Sequence, residues 1–264
     1  MKKAMFWLQR ISFTGFSVLL IFSTLVLIAS ENGKSRSATK NILHNPTKGV
    51  VILELFTSQG CSSCPPADAL LAEYANAHDE NIIPLSFHVD YWNRLGWTDP
   101  FSSNVYSARQ QWYSQHLPRG SVYTPQLVVN GKAEAVGNNR NAVNGLVQKA
   151  LAGKSTEMVS VDGITVDNGT IRFRYQTENT GNEDVLNIAL VQKMATTHIG
   201  AGENDGVTIT NHNIVRAFNT QRADKEGTAQ INLPASFKNS AYALVVYLQN
   251  KTNLSINAAI IKDL

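Results

Sequence analysis

The residues with the clearest chemical potential are Cys61 and Cys64, the two cysteines of the 264-residue chain. Two serines separate them, and this C-x-x-C spacing suits a structural disulfide, a redox pair or half of a metal site. A disulfide that closes only four residues removes about 2 kcal/mol of conformational entropy from the unfolded chain, so it is a weak structural staple. The spacing leaves all three uses open, and the surrounding elements must decide.

The sequence around the cysteines predicts a strand, a turn and a helix. Residues 50–56 are almost entirely apolar, which is typical of a strand buried on both faces. Pro65 and Pro66 fit only the first turn of a helix, where a missing N–H group loses no hydrogen bond. Cys61 is therefore expected at or just before a helix N-terminus, where the helix dipole and free N–H groups favour the reactive thiolate.

The next segments predict further elements of an α/β domain. A second buried strand is predicted over residues 82–89, in parallel with the first, because a helix connects the two. Asp99 and Pro100 are expected to cap the next helix. A hairpin is predicted over residues 126–136 around an Asn-Gly turn, and Asn141 is expected to cap a last helix that ends near Gly153.

This order of motifs resembles the thioredoxin-like superfamily of C-x-x-C type. Residues 56–68 (FTSQGCSSCPPAD), 89–92 (VDYW) and 122–126 (VYTPQ) are more narrowly similar to a bacterial exported family catalogued as a domain of unknown function. The resemblance implies a thioredoxin-like α/β domain over residues 49–154, with a parallel or mixed sheet and helices on both faces. It also implies that Thr124 and Pro125 form a cis-proline segment that faces the cysteines.

Two features depart from the superfamily pattern. Well-studied thioredoxins carry a buried acid six residues before the first cysteine, whereas Leu55 occupies that position here and the acid is the adjacent Glu54. Neighbouring strand residues face opposite sides, so Glu54 cannot simply take over that role. Residues 90–123 form a helical, aromatic-rich insertion that could cover the cysteines or shape a substrate groove.

The C-terminal part predicts a second domain. Residues 155–264 contain short apolar or alternating runs separated by turn residues and no helical stretch, which favours an all-β antiparallel sandwich. The polar residues between Gly200 and Asn213 are expected to form a solvated loop rather than a metal site. The predicted strands are 159–166, 170–175, 186–192, 208–210, 228–233, 242–249 and 256–261.

Three polar residues are candidate auxiliaries to the cysteines. His88 and Asp90 end the second strand, at the sheet edge where sites form in open α/β folds, although a hydrogen-bonded structural pair is equally compatible with their position. Glu54 is a candidate buried base, and the alternative is a structural ion pair. The predicted catalytic residues are Cys61, Cys64, Thr124 and Pro125, with no cofactor and no bound metal.

The N-terminus predicts export. Residues 1–30 carry three basic residues, no acidic residue and a 19-residue uncharged run, which indicates a signal peptide or an uncleaved membrane anchor. A polar tether is predicted over residues 31–48. The remaining residues 49–264 carry 16 basic and 19 acidic side chains, a net charge of 16 − 19 = −3 that argues against nucleic acid as a partner. The body is expected in the periplasm or another extracytoplasmic space, with membrane contact only through the N-terminal segment.

Three functions are compatible with these features. The first is a thiol–disulfide oxidoreductase in which Cys61 attacks a disulfide and Cys64 resolves the product, with protein or peptide thiols and disulfides as partners. The second is a copper-binding protein that uses both thiols and His88. The third is a redox-inert binding module. The export signal and the position of the cysteines favour the first.

Overall fold

The computed structural model describes residues 49–154 and 156–264. The predicted signal or anchor (residues 1–30) and the tether (residues 31–48) lie outside the described residues. Among the helices of the described part, none is both long enough and apolar enough to cross a membrane.

Strands and helices alternate through the first part of the described chain. Its helices and strands, in chain order, are β1 (Val51–Thr57), α1 (Pro65–Asn76), β2 (Ile82–His88), α2 (Asn104–Ser114), β3 (Gln126–Val129), β4 (Ala133–Val136) and α3 (Arg140–Leu151). A short 3₁₀ turn over Asn93–Leu95 precedes α2.

Strands fill the second part of the chain, together with a 3₁₀ turn over Asn239–Ala241. They are β5 (Met158–Asp167), β6 (Thr170–Glu178), β7 (Asp184–His198), β8 (Thr208–Arg222), β9 (Glu226–Asn232), β10 (Tyr242–Asn250) and β11 (Ile256–Asp263). Each of the seven predicted strands is found here, and β8 extends twelve residues beyond its predicted end at residue 210.

Most local predictions for the first part are also confirmed. Strands β1 and β2 pair in parallel, and β3 and β4 form the antiparallel hairpin around Asn130 and Gly131. Pro65 and Pro66 occupy the first turn of α1. These features depend on residues close together in the chain, which is why the local sequence specifies them.

The predicted fold class, a helix-flanked thioredoxin-like domain followed by a separate sandwich, is wrong. Strands from both parts of the chain form one eight-stranded sheet, in the order β11-β10-β7-β8-β2-β1-β3-β4. The junction is the parallel pair β2–β8, at Ser86 and Ile214. Pro84 has no N–H, and its carbonyl accepts a hydrogen bond from the Asn213 side chain at 3.0 Å. The C-terminal part therefore continues the first sheet.

A second, smaller sheet covers the C-terminal strands of the large one. It has three strands, in the order β5-β6-β9. Phe173 of β6 belongs to the same buried apolar cluster as Ile188 of β7 and Leu244 of β10. The two sheets therefore share one apolar core.

Two further apolar clusters lie on opposite faces of β1. Helices α1 and α3 cover Leu53 and Leu55 on one face. The other face packs against Tyr106 and Tyr113 of α2. Glu54 shares that second face, because side chains alternate along a strand.

Two predicted helix caps are wrong. Helix α2 begins at Asn104, and its N-cap is Ser103, whose side chain accepts a hydrogen bond from the Val105 N–H. Asp99, the predicted cap, is buried in another network. Helix α3 is capped by Asn139 and not by Asn141. In both cases a competing polar residue within a few positions takes the cap, and local composition does not distinguish the two.

Candidate functional site

Cys61 and Cys64 form a disulfide at the start of α1. Their Cα atoms are 5.5 Å apart, and the Cys64 N–H donates to the Cys61 carbonyl at 3.2 Å. Cys64 is the N-cap of the helix, and Cys61 precedes it by three residues, in agreement with the position expected for Cys61 just before the helix. Its carbonyl accepts hydrogen bonds from the N–H groups of Ala67 and Asp68. The pair therefore sits at the positive end of the helix dipole, but the first turn offers no free N–H group, because Pro65 and Pro66 have none and the next two N–H groups donate to Cys64.

Both cysteines are buried in this disulfide form. Cys61 is 1% and Cys64 0% exposed, while the two serines between them are exposed. The two sulfurs therefore do not differ in exposure in the oxidised protein. A reactant that approaches from solvent meets Ser62 and Ser63 before either sulfur.

A loop from the C-terminal part lies against residues 58–64, the turn between β1 and α1 that contains both cysteines and that we call the cysteine turn. We call residues 199–207, between β7 and β8, the cover loop. The buried Asn204 amide donates to the carbonyls of Gln59 and Cys61, at 2.8 and 3.0 Å. The Glu203 carboxylate accepts a hydrogen bond from the Ser62 N–H at 3.0 Å. The segment expected to be a solvated loop thus contacts the cysteine turn directly.

The aromatic insertion contacts the same turn from another side. The Trp97 indole donates to the Gln59 side chain at 3.2 Å, and the Gln59 amide donates to Asn211 of β8 at 3.0 Å. A β-carbon placed on Gly60 would lie 3.4 Å from the Trp92 β-carbon. The insertion therefore packs against the turn, as expected for a covering segment.

Thr124 and Pro125 also lie in this neighbourhood. The peptide bond between them is cis, as the resemblance implied. The Trp92 indole donates to the Thr124 hydroxyl at 2.8 Å. Pro125 and Ala67 of the first turn of α1 both flank Gly137, where an added β-carbon would lie 3.2 Å from the Pro125 β-carbon and 3.0 Å from that of Ala67.

Buried ionisable side chains form a network near the cysteine turn. His88 Nδ1 and Asp99 Oδ2 are 2.7 Å apart and both side chains are buried, while the same Asp99 oxygen accepts from the Gln59 N–H at 2.8 Å. Burial alone would lower the pKa of His88, but the Asp99 carboxylate outweighs it and the pKa is raised. Burial works against ionisation of Asp99, yet His88 and its hydrogen bonds hold its pKa below the ordinary value. The two therefore form a buried ion pair.

Asp68 is the third member of this network. It lies one helical turn after Cys64, and its N–H donates to the Cys64 carbonyl at 3.0 Å. Burial raises the pKa of Asp68 to about 7, although the charge of His88 opposes the shift. Its Oδ1 atom and His88 Nε2 are buried without a hydrogen-bond partner among the described residues. Asp68 can therefore gain or lose a proton near neutral pH.

The other two predicted auxiliaries have structural contacts. Asp90 accepts a hydrogen bond from the Ser107 hydroxyl at 2.5 Å, which ties the end of β2 to α2. Glu54 forms a buried ion pair with Arg109, with 2.7 Å between Oε1 and Nη2. Glu54 lies on the face of β1 that α2 covers, so it fits the structural ion pair and not the buried base. Neither Glu54 nor Asp90 belongs to the buried network of His88, Asp99 and Asp68.

The described residues contain no cluster of three or more His, Cys, Asp or Glu side chains that could hold a metal ion. Cys61 and Cys64 are joined to each other, and His88 Nδ1 is engaged by Asp99. The arrangement suits exchange of a disulfide for two thiols, with a nearby carboxyl group able to move a proton.

Four residues of this neighbourhood were not predicted as site residues from the sequence: Asp68, Asp99, Glu203 and Asn204. Asp68 had a detectable signal, since an acid four residues after Cys64 lies one turn along the helix. Asn204 had none, because it is 143 positions from Cys61 and reaches it only through the β2–β8 pairing.

The chain belongs to the family described as protein of unknown function (DUF1223), whose model matches residues 52–249. It is similar to the crystal structure of protein AGR_C_4864 from Agrobacterium tumefaciens, with 29% identity and a TM-score of 0.61 over 81% of this chain and 94% of that one. The match to a calcium-binding mutant of β-glucuronidase 2 from Bacteroides uniformis covers 42% of this chain and 13% of that one, at 12% identity and a TM-score of 0.18. No curated protein matches the sequence.

Proposed function

We propose that this member of the DUF1223 family is an exported thiol–disulfide oxidoreductase that acts through Cys61 and Cys64. The observation that carries the proposal is the pairing of these cysteines at the N-terminus of α1, beside a buried carboxyl group with a pKa of about 7. The proposal is also supported by the resemblance of the C-x-x-C motif to that of the thioredoxin-like superfamily. This support comes from the motif alone and not from the overall fold. The basic, apolar N-terminus supports export to an oxidising compartment.

The reaction exchanges one disulfide for another. In the reduced protein, the Cys61 thiolate attacks a substrate disulfide, and one substrate sulfur leaves as a thiolate that takes a proton. The Cys64 thiolate then attacks Cys61 Sγ, releasing the second substrate sulfur and forming the protein disulfide. Two electrons pass from the protein dithiol to the substrate, which becomes two thiols. The reverse sequence oxidises a substrate dithiol.

The buried network of Asp68, His88 and Asp99 is assigned proton exchange and positioning in this reaction. Cys64 must lose a proton to act as the resolving nucleophile and regain it when the reaction runs backward. Asp68 lies one turn away, is excluded from solvent and has a pKa close to neutral, so it is suited to exchange that proton. The His88–Asp99 pair fixes the end of β2 and the Gln59 backbone, and we assign it a positioning role.

The competing function is an inert bridge in a binding module. Measuring the equilibrium between the Cys61–Cys64 disulfide and a thiol buffer separates the two. We expect a reduction potential above about −300 mV, whereas structural disulfides in exported proteins lie below that value. A lower potential would contradict the proposal. Metal analysis of the reduced protein is the companion measurement, and stoichiometric copper would favour the metal-binding function.

Trapping with single-cysteine variants tests the assigned roles. Cys64→Ala should accumulate a mixed disulfide between Cys61 and glutathione, because the resolving thiol is absent. Cys61→Ala is the matched control, and it should accumulate much less adduct at mildly acidic pH, since Cys61 is assigned the lower pKa. Faster or equal labelling of Cys64 would reverse the roles.

A further inference from the structure

A cavity of about 400 Å³ lies between α2 and strands β7, β8 and β10. Its volume falls in the range of small-molecule sites. None of the residues that form the cysteine turn or the cover loop lines it, so it is distinct from the site described above. Arg109 and Lys251 are its cationic lining residues, and none of the described residues that line it is acidic.

Arg109 places a buried charge in this cavity. Its side chain is only 8% exposed, and its Nε and Nη2 atoms donate to Glu54 Oε1 at 3.2 and 2.7 Å. Burial acts to lower the pKa of Arg109, but the Glu54 carboxylate more than offsets it, so the guanidinium stays charged. No hydrogen bond among the described residues uses Nη1. That nitrogen keeps its donors for a partner that carries an acceptor.

The charge balance of the cavity favours an anion. Glu54 lies behind Arg109 and neutralises one positive charge, and Lys251 adds a second positive charge at an exposed position. A carboxylate in the cavity would therefore meet two cations, one of them a partly desolvated guanidinium that strengthens the interaction. Asp184, which precedes the lining residue Val185, is buried and accepts a hydrogen bond from the Asn250 amide at 2.9 Å.

The walls favour an apolar body attached to that anion. Trp112 and Phe218 line the cavity, and their ring centroids lie 5.9 and 4.8 Å from the Arg109 guanidinium carbon. Val185 adds an aliphatic surface. Two of the polar side chains are already engaged, since Thr220 donates to Asn187 at 2.7 Å and Asn187 donates to Gln249 at 3.0 Å. Asn219 adds an uncharged amide to the lining, so the charged recognition groups are the two cations.

We propose that this cavity binds a small organic carboxylate with an aromatic or other apolar body. The carboxylate lies between Arg109 Nη1 and Lys251, and the apolar body packs against Trp112 and Phe218. The site requires no change at the cysteines, so this inference stands independently of the oxidoreductase proposal.

The test compares two probes of nearly equal shape, phenylacetate and its neutral analogue phenylacetamide. Titration of the full chain, followed by ligand-observed NMR, should give saturable phenylacetate binding with a Kd of roughly 1 mM or tighter. Phenylacetamide should bind at least about tenfold more weakly, because it lacks the charge. Equal affinity for the two probes, or no saturation of phenylacetate below about 10 mM, would overturn the proposal.

Substitutions locate the binding site. Lys251→Gln should weaken phenylacetate binding several-fold and leave phenylacetamide unchanged, and its exposure makes it compatible with folding. Lys149→Gln, an exposed lysine of α3, is the matched control and should change neither affinity. The double variant Glu54→Gln/Arg109→Met removes the buried pair together and should abolish the preference for the acid. Equal effects of the two lysine variants would contradict the assigned site.

Discussion

Asp68 shows how a single residue can couple the cysteine site to pH. A carboxyl group in an apolar interior favours its neutral form, since ionisation without full hydrogen bonding is costly. His88 and Asp99 are the charged groups nearest to it in the network, and they act on its pKa in opposite directions. The buried site therefore contains one group whose pKa is raised to about 7 beside an ion pair in which each partner favours the charged form of the other.

Replacing Asp68 should change how stability depends on pH. The pKa of Asp68 rises from 3.8 to about 7 on folding, so the folded protein retains a proton that the unfolded chain loses between these values. The stability that Asp68 contributes is full below pH 3.8 and is lost as the pH rises through about 7. Asp68→Asn should therefore gain stability relative to the wild type across this window, by at most about 4 kcal/mol.

Urea denaturation at pH 5 and pH 8 measures this difference. Asp205→Asn, an exposed aspartate of the cover loop, is the control, and its stability relative to the wild type should hardly change between the two pH values. Parallel pH profiles for Asp68→Asn and the wild type would show that Asp68 ionises normally in the folded protein.

Residue types revealed part of this site. The cysteine spacing and the two prolines specify where α1 begins, because both act within one helical turn. Asp99 was predicted to be a helix N-cap because of its residue type and the proline after it. It instead pairs with His88 and accepts a hydrogen bond from the Gln59 N–H. Which of two nearby polar residues caps a helix depends on what packs against them, and the sequence does not contain that information locally.

At the scale of elements, the cover loop is expected to limit access to the cysteines. Asn204 satisfies two backbone carbonyls of the cysteine turn, and Glu203 satisfies the Ser62 N–H. Because both cysteines are buried in the disulfide form, a thiol must displace part of this cover before it can attack. Opening the loop exposes buried polar groups, so its free-energy cost slows exchange.

Removing the Asn204 side chain should speed reduction of the disulfide. Asn204→Ala loses two hydrogen bonds that hold the loop closed, so the open state should be populated about five- to tenfold more. The rate of reduction by dithiothreitol, followed by alkylation and mass analysis, should increase by the same factor. Asp205→Ala, in the same loop but exposed, should leave the rate unchanged. Equal rates for both variants would mean that the loop does not limit access.

At the scale of the whole molecule, the two parts of the chain form one structure. The eight-stranded sheet contains strands from both parts, and the buried Glu54 of β1 contacts Arg109 of α2 and Tyr247 of β10. The sequence predicted every strand of the second part, but it did not predict which strands pair with one another. The alternation of apolar and polar residues indicates which face of a strand is buried and not which strand lies beside it. A separate sandwich was the wrong conclusion for that reason.

The turn of the β3–β4 hairpin is a point where this continuity can be tested. The Ile256 N–H donates to the Asn130 carbonyl at 3.2 Å, which links the turn to the start of β11. Gly131 has a φ of +70°, and a β-carbon there would overlap the Leu254 carbonyl. Gly169, in the turn between β5 and β6, has a φ of +73° and no heavy atom within 4 Å of a β-carbon. The two glycines differ in their tertiary contact and not in backbone conformation.

Alanine at these two glycines should therefore have unequal costs. Gly169→Ala should lose about 1 kcal/mol from the left-handed backbone alone. Gly131→Ala should lose at least about 3 kcal/mol, because either the turn or the residue-254 segment must also move. Urea denaturation monitored by fluorescence and by circular dichroism gives both free energies of unfolding and shows whether the two probes share one transition. Equal losses of stability would mean that the segment around residue 254 can move away from the hairpin turn at no cost. Two separate transitions would mean that the eight-stranded sheet does not unfold as a unit.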